Sequence, residues 1–172
     1  MAFVASSMME QFSASNLAGS AINKVVGATM ELAREQDSAI SQFKKATGAG
    51  AEYNDVMEGS YLNTRTFGVS QAEAAQSTQE LFVNMSGFSG MNEAVRTQLT
   101  ETTALMSEMG ISASTTAKNL EIMTKSLGMS GTQADDTSRD LFSLAQSLNL
   151  PPQIIMQDFG PAMSTLSAHG DD

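Results

Sequence analysis

Met109-Gly110-Ile111-Ser112 holds the signals to stop one helix and start the next within four residues. Gly takes the left-handed conformation just past a helix end, the apolar residue after it folds back on the last turn, and Ser caps the following helix with its hydroxyl. The same order recurs in Phe67-Gly68-Val69-Ser70 and Leu127-Gly128-Met129-Ser130. Glu73 stands three residues after Ser70 and Gln133 three after Ser130, which completes two capping boxes, whereas Thr115 after Ser112 leaves the third incomplete. The glycines lie 42 and then 18 residues apart, which is no fixed period. The tetrads therefore read as ordinary helix connectors, not as the signature of a solenoid.

Working outward from these stops, helix is the only period that recurs. Apolar residues fall at three- and four-residue spacing, β-branched residues are scattered, and no Pro precedes Pro151. The pattern predicts an all-α fold, a long N-terminal helix followed by about six shorter ones in an irregular bundle. The first helix is expected from about residue 3 or 15 to 46, with Ile22, Val25, Val26, Met30, Leu32, Ala33, Ile40 and Phe43 on one stripe and Gly48 and Gly50 ending it. Small residues such as Gly27 and Ala28 permit close helix contact, and Lys24 within that face argues against a membrane dimer motif. Residues 1–47 thus read as a packing or oligomerisation helix, and 48–172 as a multi-helix region. Its helices are expected near 53–67, 71–85, 91–109, 113–127, 131–148 and 152–159, with a last turn at 162–166. Pro152 suits a helix's first position, where its missing N–H costs nothing.

Composition narrows the function. The chain has 172 residues, no Cys, no Trp and one His, with 9 basic against 19 acidic residues for a formal charge of −10. These counts exclude a disulfide scaffold, a Cys-based zinc site and a thiol nucleophile, and argue against direct binding of nucleic acid or anionic lipid. With 41% hydrophobic and 16% charged residues the chain is too apolar to remain disordered. Its 13 Met and 8 Phe predict a soft, plastic helical core. No secretory signal is evident, and residues 17–33, interrupted by Asn23, Lys24 and Glu31, fall short of the roughly 20 apolar residues a membrane span needs.

No catalytic, cofactor-binding or metal-ligating residue is singled out. His169 is the single imidazole and reads as a solvated tail residue. No phosphate-cradling loop, dinucleotide fingerprint, nucleophile elbow or HExxH is present. Asp135 and Asp136 read as carboxylates favouring the positive end of a helix dipole, and Glu93, Glu101 and Glu108 with Arg96 as a solvated surface. The two carboxylates of a cell-wall hydrolase need not be close in sequence, so an enzyme stays open as an alternative.

Taken in order, these motifs form a larger pattern. Glu35-Gln36-Asp37-Ser38-Ala39-Ile40-Ser41-Gln42-Phe43 runs into Thr47-Gly48, and Gly68-Val69-Ser70 opens into Gln71-Ala72-Glu73-Ala74-Ala75. Leu127 to Ser130 is followed by Gln133 to Asp136, then Pro151-Pro152, then Phe159-Gly160-Pro161-Ala162-Met163. From about Met30 to Gly170 the chain resembles the N-terminal core region of tail tape-measure proteins of bacteriophages and prophages. It departs from that family in being poorer in Ala, richer in Met, and far shorter. The resemblance implies a structural protein of the tail tube lumen that sets tail length during assembly and is ejected ahead of the DNA into the host envelope. The partners it implies are the tail tube protein, tail assembly chaperones or tip proteins, and other copies of itself, with no cofactor. Even wholly helical, 172 residues would span only about 260 Å, so a fragment of a longer chain, or a truncated gene, is expected and not a complete ruler. Two other readings stand beside it, a helical partner-binding or effector module and, more remotely, a peptidoglycan-cleaving enzyme.

Overall fold

A computed structural model describes residues 27–169, which hold helices and short 3-10 turns and, among the described residues, no strand. The chain divides into two units, residues 1–38 and 39–172. The first described element, α1, is helical over residues 27–47, so its end matches the sequence reading within a residue. Its expected start and Ile22, Val25 and Val26 lie outside the described residues. In the first unit Met30, Leu32 and Ala33 are exposed, against the expectation that they extend the buried stripe. Periodicity identifies an apolar face but does not say whether anything covers it.

In the second unit the stripe is buried as expected. Ala39 and Phe43 enter the core, and Phe43 meets the Tyr53 and Phe82 rings at 5.3 and 6.1 Å. Six further helices follow, α2 (Asn54–Thr64), α3 (Gln71–Asn84), α4 (Glu93–Glu108), α5 (Ala113–Lys125), α6 (Gly131–Ser147) and α7 (Pro152–His169). Each tetrad does what its residues dictate. Gly68, Gly110 and Gly128 take φ of 103°, 86° and 66°, and Ser70, Ser112 and Ser130 accept the N–H of Glu73, Thr115 and Gln133. The two complete capping boxes form at Ser70 and Ser130.

The helices pair into three hairpins, α2/α3, α4/α5 and α6/α7, and the hairpins stack. α2, α4 and α6 form one row, and α3, α5 and α7 the other. The register between neighbours is nearly constant. Ser60 Oγ donates to the Thr97 carbonyl, Gln98 to Asp135, Arg139 to Thr102 and Asn119 to the Met156 carbonyl, each pair 37 residues apart. A constant offset means that stacked helices run parallel, which makes a short solenoid of about 37-residue repeats.

This corrects the rejection of a repeat. Gly68 and Gly110 turn the chain inside a hairpin, whereas Gly128 joins one hairpin to the next, so the intervals of 42 and 18 mix two kinds of connector. The third within-hairpin turn uses Asn149, at φ 53° the one non-glycine residue with positive φ among those described. Asn tolerates the left-handed region better than most residues, so a search keyed on Gly passes over it.

A second correction concerns α7, which runs unbroken where a stop at Phe159 and a separate last turn at 162–166 were expected. Pro161 lies inside it. The clash of a proline ring with the preceding residue is partly with that residue's Cβ, which Gly160 lacks. Gly160 is also where α7 meets α5, since a Cβ there would stand 3.2 Å from Ile122 Cδ1 and 3.3 Å from Asn119 Oδ1.

The core is as soft as the composition implies. Met57, Met85, Met106, Met123 and Met156 are buried, and Thr116 and Ser138 donate hydroxyls to the Met106 and Met123 sulfurs at 3.7 and 3.6 Å. Tyr53, Phe82 and Phe88 complete an aromatic group with Phe43 around the first hairpin.

Candidate functional site

The strongest polar assembly lies where α4 and α6 stack. Asp135 is fully buried, and its Oδ2 accepts from Gln98 Nε2 at 2.7 Å and pairs with Arg139 Nε at 3.0 Å. The same Arg139 nitrogen donates to Thr102 Oγ1 at 2.8 Å. Asp135 Oδ1 is buried without a hydrogen-bond partner. Burial pushes the Asp135 carboxyl above the usual carboxylate range, against the opposing pull of Thr102, Arg139 and Gln98. Asp135 thus does more than favour the positive end of the α6 dipole, as the sequence suggested, since it is buried in the seam; Asp136, its neighbour, is exposed. The helix period turns adjacent residues about 100° apart, so one faces α4 and the other solvent.

Beside this clamp lies a hollow of about 120 Å³, lined by Thr102, Leu105, Met106, Met109, Arg139 and Phe142. A second hollow of about 270 Å³ lies between α1 and α3, with Ala39, Ala72 and Ala75 lining it alongside Gln42, Gln76 and Gln79. Neither brings a nucleophile beside a base. Among the described residues no group of three or more His, Cys, Asp or Glu is arranged to hold a metal ion.

The acidic surface expected on α4 is divided among different surroundings. Arg96 is half-buried and lies 4.8 Å over the Tyr53 ring, with its Nε buried and unpartnered. Glu101 accepts from Asn63 Nδ2 at 2.7 Å, and Glu93 is exposed in the first turn. Glu108 comes up against Glu73, whose carboxylate the Ser70 hydroxyl and N–H hold below its ordinary range. Sharing a hydrogen bond with that charge raises Glu108. At the opposite end of the hairpins, burial raises Glu121, but the Ser86 hydroxyl, Lys125 and the Ser86 N–H outweigh it and hold the group low. These groups join one helix to the next. His169 is the last residue of α7.

Sequence reasoning missed the Gln98, Thr102, Asp135 and Arg139 clamp. The available signal was the interval of 37 residues that links both pairs, and it becomes visible only once the helices are known to stack in parallel. Among the described residues no helix is long and apolar enough to cross a membrane. Comparison of the chain with protein-family models, curated proteins and solved structures gives no match.

Proposed function

We propose that the chain is a segment of a bacteriophage or prophage tail tape-measure protein, a structural component of the tail tube lumen that helps set tail length and leaves before the DNA. The observation that carries this reading is the order of helix-boundary motifs from Met30 to Gly170. Its support in the fold is that the Gly-h-Ser elements in that order are working stops and caps, at Gly68-Val69-Ser70 and Gly128-Met129-Ser130. The formal charge of −10 suits a protein that precedes DNA through a tube more than one that coats it. On this reading the partners are the tube protein, assembly chaperones or tip proteins, and neighbouring copies, and the segment has no enzymatic role.

The test is mass spectrometry of purified virions before and after triggered ejection. Peptides from residues 39–169 are expected in filled particles and depleted from emptied ones. Their absence from virions would contradict the proposal. The stacked hairpins favour one second reading, a partner-binding module, because such stacks present extended surfaces to other proteins.

A further inference from the structure

The methionines of the stacked hairpins are not equally accessible. Met57, Met85, Met106, Met123 and Met156 are each 5% exposed or less, and Met91, Met129 and Met163 are half-buried. Hydroxyls of Thr116, Ser138 and Thr137 donate to the sulfurs of Met106, Met123 and Met129. Met109 is 39% exposed. It lies at the turn of the middle hairpin, with one hairpin stacked on either side, so its exposure is not a feature of the end of the stack.

Three helices meet at this residue. Met109 caps the C-terminus of α4, with its N–H turned to the carbonyls of Leu105, Met106 and Ser107. Its own carbonyl accepts from Gln153 Nε2 of α7 at 2.8 Å. Its side chain lines the hollow of about 120 Å³ together with Leu105 and Met106 of α4 and Arg139 and Phe142 of α6. Met106, three residues earlier on the same wall, is buried with its sulfur engaged by Thr116. An accessible thioether thus stands beside a closed one, at the point where the third hairpin joins the second.

We infer that Met109 is a site of oxidation by hydroperoxides, and that its sulfoxide loosens the third hairpin from the end of α4. In the reaction the sulfur lone pair takes one peroxide oxygen, the O–O bond breaks, and the other oxygen leaves as water or an alcohol. Sulfur is oxidised by two electrons and the peroxide is reduced by two. The product is a polar group with a strong acceptor oxygen in place of a soft apolar one. It forms on the wall of the hollow that Arg139 also lines, and there it competes for the guanidinium with Asp135 and Thr102, which hold Arg139 Nε. The hollow leaves room for the added oxygen, so Met109 reacts in the folded chain. The five core methionines are close-packed and react only when the fold opens around them.

The test treats the full chain with graded hydrogen peroxide, maps the sulfoxides by peptide mass spectrometry and follows thermal melting. Met109 is expected to react at least about tenfold faster than the five core methionines. The oxidised wild type is expected to melt about 2–4 °C lower, and methionine sulfoxide reductase to restore it. Met109→Leu, which nearly conserves volume, is expected to keep its melting temperature under the same dose. Met30→Leu, which removes the other exposed methionine among the described residues, is expected to lose as much as wild type. Met109→Gln places a polar group of similar length there without any oxidant, and is expected to melt lower by about the same shift before treatment. The inference is overturned if Met109 reacts no faster than the core methionines or if its complete oxidation leaves the melting temperature unchanged. It is equally overturned if oxidised Met109→Leu loses as much as wild type, which would place the sensitive sulfur elsewhere.

Discussion

Arg139→Met is expected to destabilise the fold by about 2–3 kcal/mol at neutral pH, toward the lower end for a broken buried pair because the Arg139 side chain is 48% exposed and shares its charge with solvent. The change leaves the Asp135 carboxylate with the Gln98 amide and no cation, inside the α4/α6 seam. The loss depends on pH in a defined direction. Burial already holds the Asp135 carboxyl above its ordinary 3.8, so the folded chain keeps that proton to higher pH than the unfolded chain does. Such a group favours folding most below the unfolded value, and stability falls as pH rises through the folded one. Removing Arg139 raises the folded value further, so the deficit is expected to be largest at pH 7 and to shrink as the pH falls toward 4. Glu73 and Glu121, held low, lose their contributions as pH falls through their folded values, equally in both proteins, so the difference between variant and wild type isolates Asp135. Asp135→Asn, which keeps the shape and removes the buried charge, is expected within about 1 kcal/mol of wild type. Urea titrations from pH 4 to pH 7 measure all three. A deficit that is constant with pH would show that Arg139 acts through packing alone.

Gly110→Val is expected to destabilise by about 2 kcal/mol or more, and Gly128→Val by about 1–2 kcal/mol. Both positions need positive φ, which a β-branched residue resists, but their surroundings differ. A Cβ at Gly110 would lie 3.1 Å from Gln153 Nε2, the group that donates to the Met109 carbonyl and ties α7 to the end of α4. Nothing lies within 4 Å of a Cβ at Gly128. Asn at position 128 is expected to be tolerated within a few tenths of a kcal/mol, as Asn149 shows by holding the equivalent conformation within the third hairpin. Thermal melts of the three variants check the order, and Val at 128 proving worse than Val at 110 would show that the Gln153 contact is not significant.

How far the sequence could be read follows from the range of each interaction. Helix stops and caps are local chemistry, so Gly68, Gly110, Gly128 and their serines were legible as they stand. The α1 stripe was legible as an apolar face, but the exposure of Met30 and Leu32 depends on neighbours that no local period encodes. The stack was hidden by one substitution in kind, Asn149 for Gly, and by Gly128, which imitates the hairpin turn while joining hairpins. Asp135 is the clearest case. Its neighbour Asp136 is exposed, and only pairing with Gln98 and Arg139 across and along the seam distinguishes the two. The α7 continuation through Pro161 was misread because Gly-Pro usually ends a helix, and here Gly160 is the residue that lets the helix pass close to α5.

The proposed tape-measure role is tested most directly by tail length, measured in a phage that carries this chain in its tail gene cluster. A helix has a fixed rise of about 1.5 Å per residue and cannot stretch to absorb a deletion without breaking its hydrogen bonds. An in-frame deletion of residues 28–34, two turns of α1, is expected to shorten the averaged tail in electron micrographs by about 10 Å. Tails of wild-type length after that deletion, in particles that still package the shortened protein, would contradict the assignment of this segment to the ruler.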